Sequence, residues 1–171
     1  MSMQRPKSDE YAPYYGRYID KVPDGDIIAY LEQQRNAFSA RLVEIPSEKG
    51  NLRYAEGKWS VKEVVGHVID VERAFLFRAL TFARADRGPI PGLEQDDWVA
   101  AANFDARTME SLREEFHHLR SSGIAMLRSF DEAALLRRGI ASDCEFSVRA
   151  IPYILAGHLD HHARVLEERY L

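Results

Sequence analysis

The sequence predicts an all-α protein, an up-down four-helix bundle with an irregular N-terminal arm. Three observations carry that prediction. Apolar residues recur at helical spacing in four separate stretches. Capping residues precede those stretches, and glycine or proline follows the first two. No strong apolar–polar alternation of the strand type appears anywhere in the chain.

Residues 1–23 read as the arm. They hold Pro6, Pro13, Gly16 and Pro23 together with Tyr11, Tyr14, Tyr15 and Tyr18. Those tyrosines fit an arm packed over the bundle, or aromatic edges beside a pocket or a dimer seam. The bundle domain takes residues 24–171. Its first helix begins near Asp24 or Asp26, where a carboxylate caps free N–H groups. Ile27, Ile28, Leu31, Phe38, Leu42 and Ile45 form its apolar face, and Pro46 and Gly50 end it.

The second helix opens on Ser60 and Glu63, the S-x-x-E capping box, with Trp59 before it as a hydrophobic anchor. It runs to about Ala85, where Gly88, Pro89, Pro91 and Gly92 break the chain. The third spans about Thr108 to Phe130, with a short extra turn over residues 131–138. The fourth runs from about Val148 to the C-terminus, with Ser147 as a cap and Pro152 near the first turn, where a missing N–H costs least.

With 171 residues, the chain has the size of one domain. Its 46% hydrophobic and 29% charged residues suit a folded soluble protein rather than a disordered one. A net charge of -4 gives no pull toward nucleic acid or anionic lipid. No apolar run reaches bilayer-spanning length. The opening MSMQRPKSDE lacks a signal-peptide core, so a cytoplasmic protein is expected. The one cysteine, Cys144, excludes a disulfide framework and a multi-thiolate zinc site, and inert packing is its expected role.

The histidines carry the chemistry. Residues i and i+4 of a helix lie one above the other, so two imidazoles at that spacing reach one ion. The last helix offers His158, His161 and His162. Its apolar stripe contains Ile151, Ile154, Leu155, Val165 and Leu166. At about 100° per residue, His158 and His162 fall within about 20° of the stripe's centre and His161 about 80° away. His158 and His162 are therefore the buried pair, and His161 lies at the edge. His67, on the flank of the stripe Val64, Val65, Val68, Val71 and Phe75, is the third candidate. His117 and His118 sit in a charged stretch and read as solvated. Three neutral imidazoles suit a divalent ion, zinc or nickel foremost, and leave a coordination position open for chemistry.

These motifs resemble a known family. The stretch from Arg53 through Trp59-Ser60-Val61-Lys62-Glu63 to Gly66-His67-Val68-Ile69-Asp70 resembles the start of the second helix in the DinB-like (YfiT-like) metalloenzymes. Ala156-Gly157-His158-Leu159-Asp160-His161-His162 resembles that family's last-helix metal motif. Gln95-Asp96-Asp97-Trp98 and Glu168-Arg169-Tyr170-Leu171 also fit, so the likeness covers almost the whole chain. It implies a four-helix bundle, a homodimer, and metal ligands at His67, His158 and His162. Relatives include low-molecular-weight thiol S-transferases using bacillithiol or mycothiol, glutathione-dependent members, a maleylpyruvate isomerase and metal-dependent hydrolases.

The expected function is a divalent-metal-dependent enzyme, a thiol S-transferase or hydrolase acting on a small molecule. The alternative is a non-catalytic metal- or ligand-binding bundle. Asp70, one turn from His67, and Asp160, between two histidines, are the candidate catalytic residues: each is placed to orient an imidazole or relay a proton, or is an ordinary surface acid. Asp96, Asp97 and Trp98 either cover the pocket or begin a helix. Glu72 and Arg73 read as surface charges. Arg78, nearer the apolar stripe, is open to a second reading, contact with an acidic substrate or a partner subunit.

Overall fold

The computed structural model describes residues 3–171. Met1 and Ser2 of the arm lie outside the described residues. Four long helices form the bundle: α2 (Ile27–Glu44), α3 (Val61–Ala83), α5 (Met109–Arg128) and α7 (Ala150–Arg169). Short helices α1 (Pro13–Ile19), α4 (Gln95–Ala102) and α6 (Glu132–Leu135) join them, as does a hairpin of β1 (Arg138–Ala141) and β2 (Cys144–Ser147).

The caps expected at Asp26 and Ser60 are the caps used, whereas the N-cap position of α7 is Arg149, with Ser147 two residues ahead of it. Asp26 accepts from the Ile28 N–H at 2.9 Å. The Ser60 hydroxyl accepts from the Glu63 N–H at 3.1 Å, and the Glu63 carboxylate accepts from the Ser60 N–H at 2.7 Å. Thr108 caps α5, and Ser147 accepts from the Ala150 N–H at 3.2 Å.

Three local expectations are corrected. The arm is not wholly irregular, because Pro13 opens α1 at a position where its missing N–H costs nothing. Residues 95–102, expected as pocket cover or a capped helix start, form α4 with Asp96 and Asp97 in its first turn. The hairpin was not legible in the sequence. Its strands are four residues long, too short to show alternation, and its turn residues Ser142 and Asp143 both adopt positive φ without the usual Asn-Gly signal.

Around the bundle, α2 packs on α5 and α7, and α3 packs on the same two helices. α2 and α3 thus stand at opposite corners, as do α5 and α7, while α3 and α5 are neighbours. Apolar residues form two clusters, one around Leu31, Phe75, Ile124 and Ile154, the other around Phe38, Val65, Phe116 and Leu159. Between them lies a buried polar layer. Arg120 and Glu72, 1% and 2% exposed, form a bidentate pair (Arg120 Nη2 to Glu72 Oε2, 2.6 Å). Arg120 also donates to Gln34 Oε1 at 3.3 Å. Gln34 Nε2 donates to the Ala156 carbonyl at 3.0 Å and to Asp160 at 2.6 Å. One residue from each long helix, two from α7, thereby meets in this layer. The reading of Glu72 as a surface charge is overturned, because Arg120 on α5 compensates it inside the bundle.

Candidate metal centre

His67 stands on the second turn of α3, and His158 and His162 on successive turns of α7. Each helix reaches the centre through a glycine. A Cβ on Gly66 would lie 2.5 Å from the Phe104 ring, and one on Gly157 would collide with the Tyr18 carbonyl. The Phe104 segment therefore seats directly on α3, and α1 directly on α7, each beside a histidine.

The three imidazoles converge. One ring nitrogen from each can be chosen so that all lie within 4.8 Å of one another. The Nε2 atoms of His67 and His158 are 3.2 Å apart. A tetrahedral ion with bonds of about 2.0–2.1 Å holds its nitrogens roughly 3.3 Å apart, so the donor set fits a small divalent ion. Among the described residues no fourth histidine, cysteine or carboxylate joins the group. His67 and His158 are buried, and His162 is partly exposed, which leaves a solvent approach past His162.

All three rings are held neutral, the form that ligates. Burial, then the charge of His161, lowers the pKa of His67 to about 4. Burial followed by His67 and His161 lowers that of His162 to about 3. Burial and the neighbouring imidazoles push His158 well below the ordinary value.

Aromatic walls flank the trio. The Trp59 indole lies 4.7 Å from the His67 ring, centre to centre. Tyr18 meets His158 edge-on at 5.6 Å and His161 at 6.0 Å. Trp59 also lines a cavity of about 280 Å³ with Lys58, Asp96 and Val99. The sequence marked Trp59 only as an anchor, and Tyr18 as one of four arm tyrosines. Their place at the centre depends on how α1 and the 53–60 loop dock.

The two aspartates stand apart from the imidazoles. Asp160 turns toward α2, where it accepts from the Tyr30 hydroxyl at 2.9 Å and from Gln34. Asp70 lies 4.0 Å from Arg73, its carboxyl pushed up by burial. Among the described residues, neither hydrogen-bonds to an imidazole. His161 packs on His162 at 4.9 Å without joining the ligand group. His117 meets Ser39 at 3.3 Å on the far side of the bundle surface. Arg78 is buried over the Phe75 ring and donates to Ser142 at 2.9 Å.

Comparison with known proteins agrees with this architecture. YfiT from Bacillus subtilis, described as a probable metal-dependent hydrolase with an unusual four-helix bundle topology, superposes with a TM-score of 0.75. It is 15% identical, over 87% of this chain and 88% of that one. A mycothiol-dependent maleylpyruvate isomerase superposes at 0.69 with 12% identity, over 85% of this chain and 61% of that one. No curated protein matches the sequence. A sequence model of the DinB superfamily matches residues 30–166, most of the chain. The chain belongs to the DinB superfamily.

Proposed function

We propose that this protein is a divalent-metal-dependent enzyme that acts on a small molecule, as a thiol S-transferase or a hydrolase. The observation that carries this reading is three neutral imidazoles converging with no fourth protein ligand and a solvent approach on one side. His67, His158 and His162 are the proposed ligands of one zinc or nickel ion. Such an ion supplies Lewis acidity that lowers the pKa of a coordinated thiol or water.

The remaining residues serve that position. Trp59 and Tyr18 shield it from bulk water on two sides and offer faces for a substrate's apolar part. Asp160, fixed by Tyr30 and Gln34, holds α7 against α2 and thereby orients the turn that carries His158 and His162. Asp70, one turn from His67 on α3, is proposed as the proton-handling acid, and burial raises its carboxyl above the ordinary value. The use of a low-molecular-weight thiol is supported by the isomerase likeness, which concerns the fold. A homodimer in the cytoplasm, with residues 1–23 as an arm on a 24–171 bundle domain, completes the proposal. No helix of the described residues is long and apolar enough to cross a membrane.

Metal analysis of protein purified without an affinity tag tests the site. About one divalent ion per chain is expected, and His162→Ala is expected to lower metal affinity by more than about a hundredfold. Unchanged metal content in that variant would reject the assignment. Thiol-dependent turnover with an electrophile, assayed beside ester and amide hydrolysis, then separates the two reactions.

A further inference from the structure

Arg17 on α1 occupies an unusual setting for an exposed cation. Its guanidinium carbon lies 3.8 Å from the centre of the Tyr14 ring and 4.9 Å from that of Tyr18. Its Nη2 donates to the hydroxyls of both, to Tyr18 at 3.1 Å. Among the described residues no carboxylate pairs with it. Two rings thus hold the fork in one place while its charge stays free, the preorganised state in which a guanidinium binds an anion.

One of the two rings that hold the fork also borders the metal centre. Tyr18 is the ring that lies 5.6 Å from His158 and 6.0 Å from His161. The Gly157 contact fixes the α1 backbone at this point. Lys21 follows Arg17 by four residues, just past the end of α1, and Arg164 follows His161 by three residues on α7. Lys21 forms no ion pair among the described residues, and Arg164 reaches only Glu168, at 3.9 Å. Asp20, the one acid between Arg17 and Lys21, pairs with neither. Asp160 is turned away toward α2. Glu168 is thus the one acid paired with any of these three cations among the described residues, and Arg17 and Lys21 keep their charge uncompensated. Arg17 and Lys21 belong to the arm, outside residues 30–166 that match the family, and Arg164 lies within them.

We propose that Arg17, backed by Lys21 and Arg164, is an anion-recognition rim, and that the substrate carries a carboxylate a few bonds from the atom that meets the metal. This rests on the metal-centre reading above. Arg17 and His158 both lie within 6 Å of the centre of the Tyr18 ring, so a short chain that meets the metal through sulfur would have the guanidinium as its nearest fixed cation on the α1 side. Arg17 would then set specificity, accepting short anionic substrates over their neutral counterparts.

The test uses cobalt-loaded protein and two probes of equal shape, 3-mercaptopropionate and 3-mercaptopropionamide. Binding is read from the sulfur-to-cobalt charge-transfer absorption. The wild type is expected to bind the carboxylate about tenfold more tightly than the amide. Arg17→Met should remove that preference while leaving the amide's affinity unchanged, and Arg17→Lys should restore part of it. Equal affinities in the wild type, or an undiminished preference in Arg17→Met, would overturn the rim. Failure to take up cobalt would overturn the metal centre and the rim with it, and is distinguishable because it appears before any probe is added.

Discussion

Glycine 157 does two jobs at one residue. It precedes His158, and its missing side chain admits the α1 backbone. The atom that blocks a Cβ there is a backbone carbonyl, which cannot rotate away as a side chain can. Gly157→Ala is therefore expected to lift α1 and cost about 1–3 kcal/mol of stability, measured by urea denaturation. Gly66→Ala meets the ring of the buried Phe104, so its cost should be of the same order. Helical phase made His158 and His162 legible at this scale, because burial of one face follows from 3.6-residue periodicity. Tyr18 was not legible as a wall of the centre, because its contacts come from α7, about 140 positions along the chain.

At the scale of the element, α1 and the turn before it are tethered by charge. Glu10 is 3% exposed and accepts from Arg149 Nε at 2.7 Å and from the Lys7 N–H at 3.0 Å. Burial pushes its carboxyl up, but the Arg149 guanidinium and the Lys7 N–H outweigh that and lower it to about 2. A depressed carboxyl stabilises the fold above its ordinary value of 4.5 and loses that contribution as the pH falls toward 2. The arm is thus expected to loosen between those values, seen as faster proteolytic cleavage within residues 3–23. Glu10→Gln should loosen it by about 1–3 kcal/mol already at pH 7 and flatten the acid dependence. The sequence marked the arm's prolines and tyrosines but not this tether, since its partner Arg149 lies at the foot of α7.

Across the whole molecule, the polar layer decides how the helices meet. Arg120, Glu72, Gln34 and Asp160 interrupt the core and join all four long helices. An apolar interface alone tolerates sliding, whereas a buried bidentate pair has one low-energy register. Arg120→Met leaves Glu72 buried without its cation and is expected to cost about 3–5 kcal/mol, read from the urea midpoint. Pairing it with Glu72→Leu should recover most of that loss. A double variant as unstable as the single one would show that the layer acts through packing and not through charge.

The sequence by itself determined the four long helices, the caps of α2 and α3, and which histidines of the last helix face inward. These are local properties, written in periodicity and in the first turn of each helix. Tertiary structure alone decided that α2 faces α3 across the bundle, that Glu72 is buried against Arg120, and that Asp160 turns to Gln34 instead of an imidazole. Each of those outcomes depends on which helices become neighbours. A charged residue near an apolar stripe reads the same from the chain whether a distant partner or water compensates it. The three-histidine convergence lies between the two cases, with two residues placed by helical phase and the third brought in by the packing of α3 on α7.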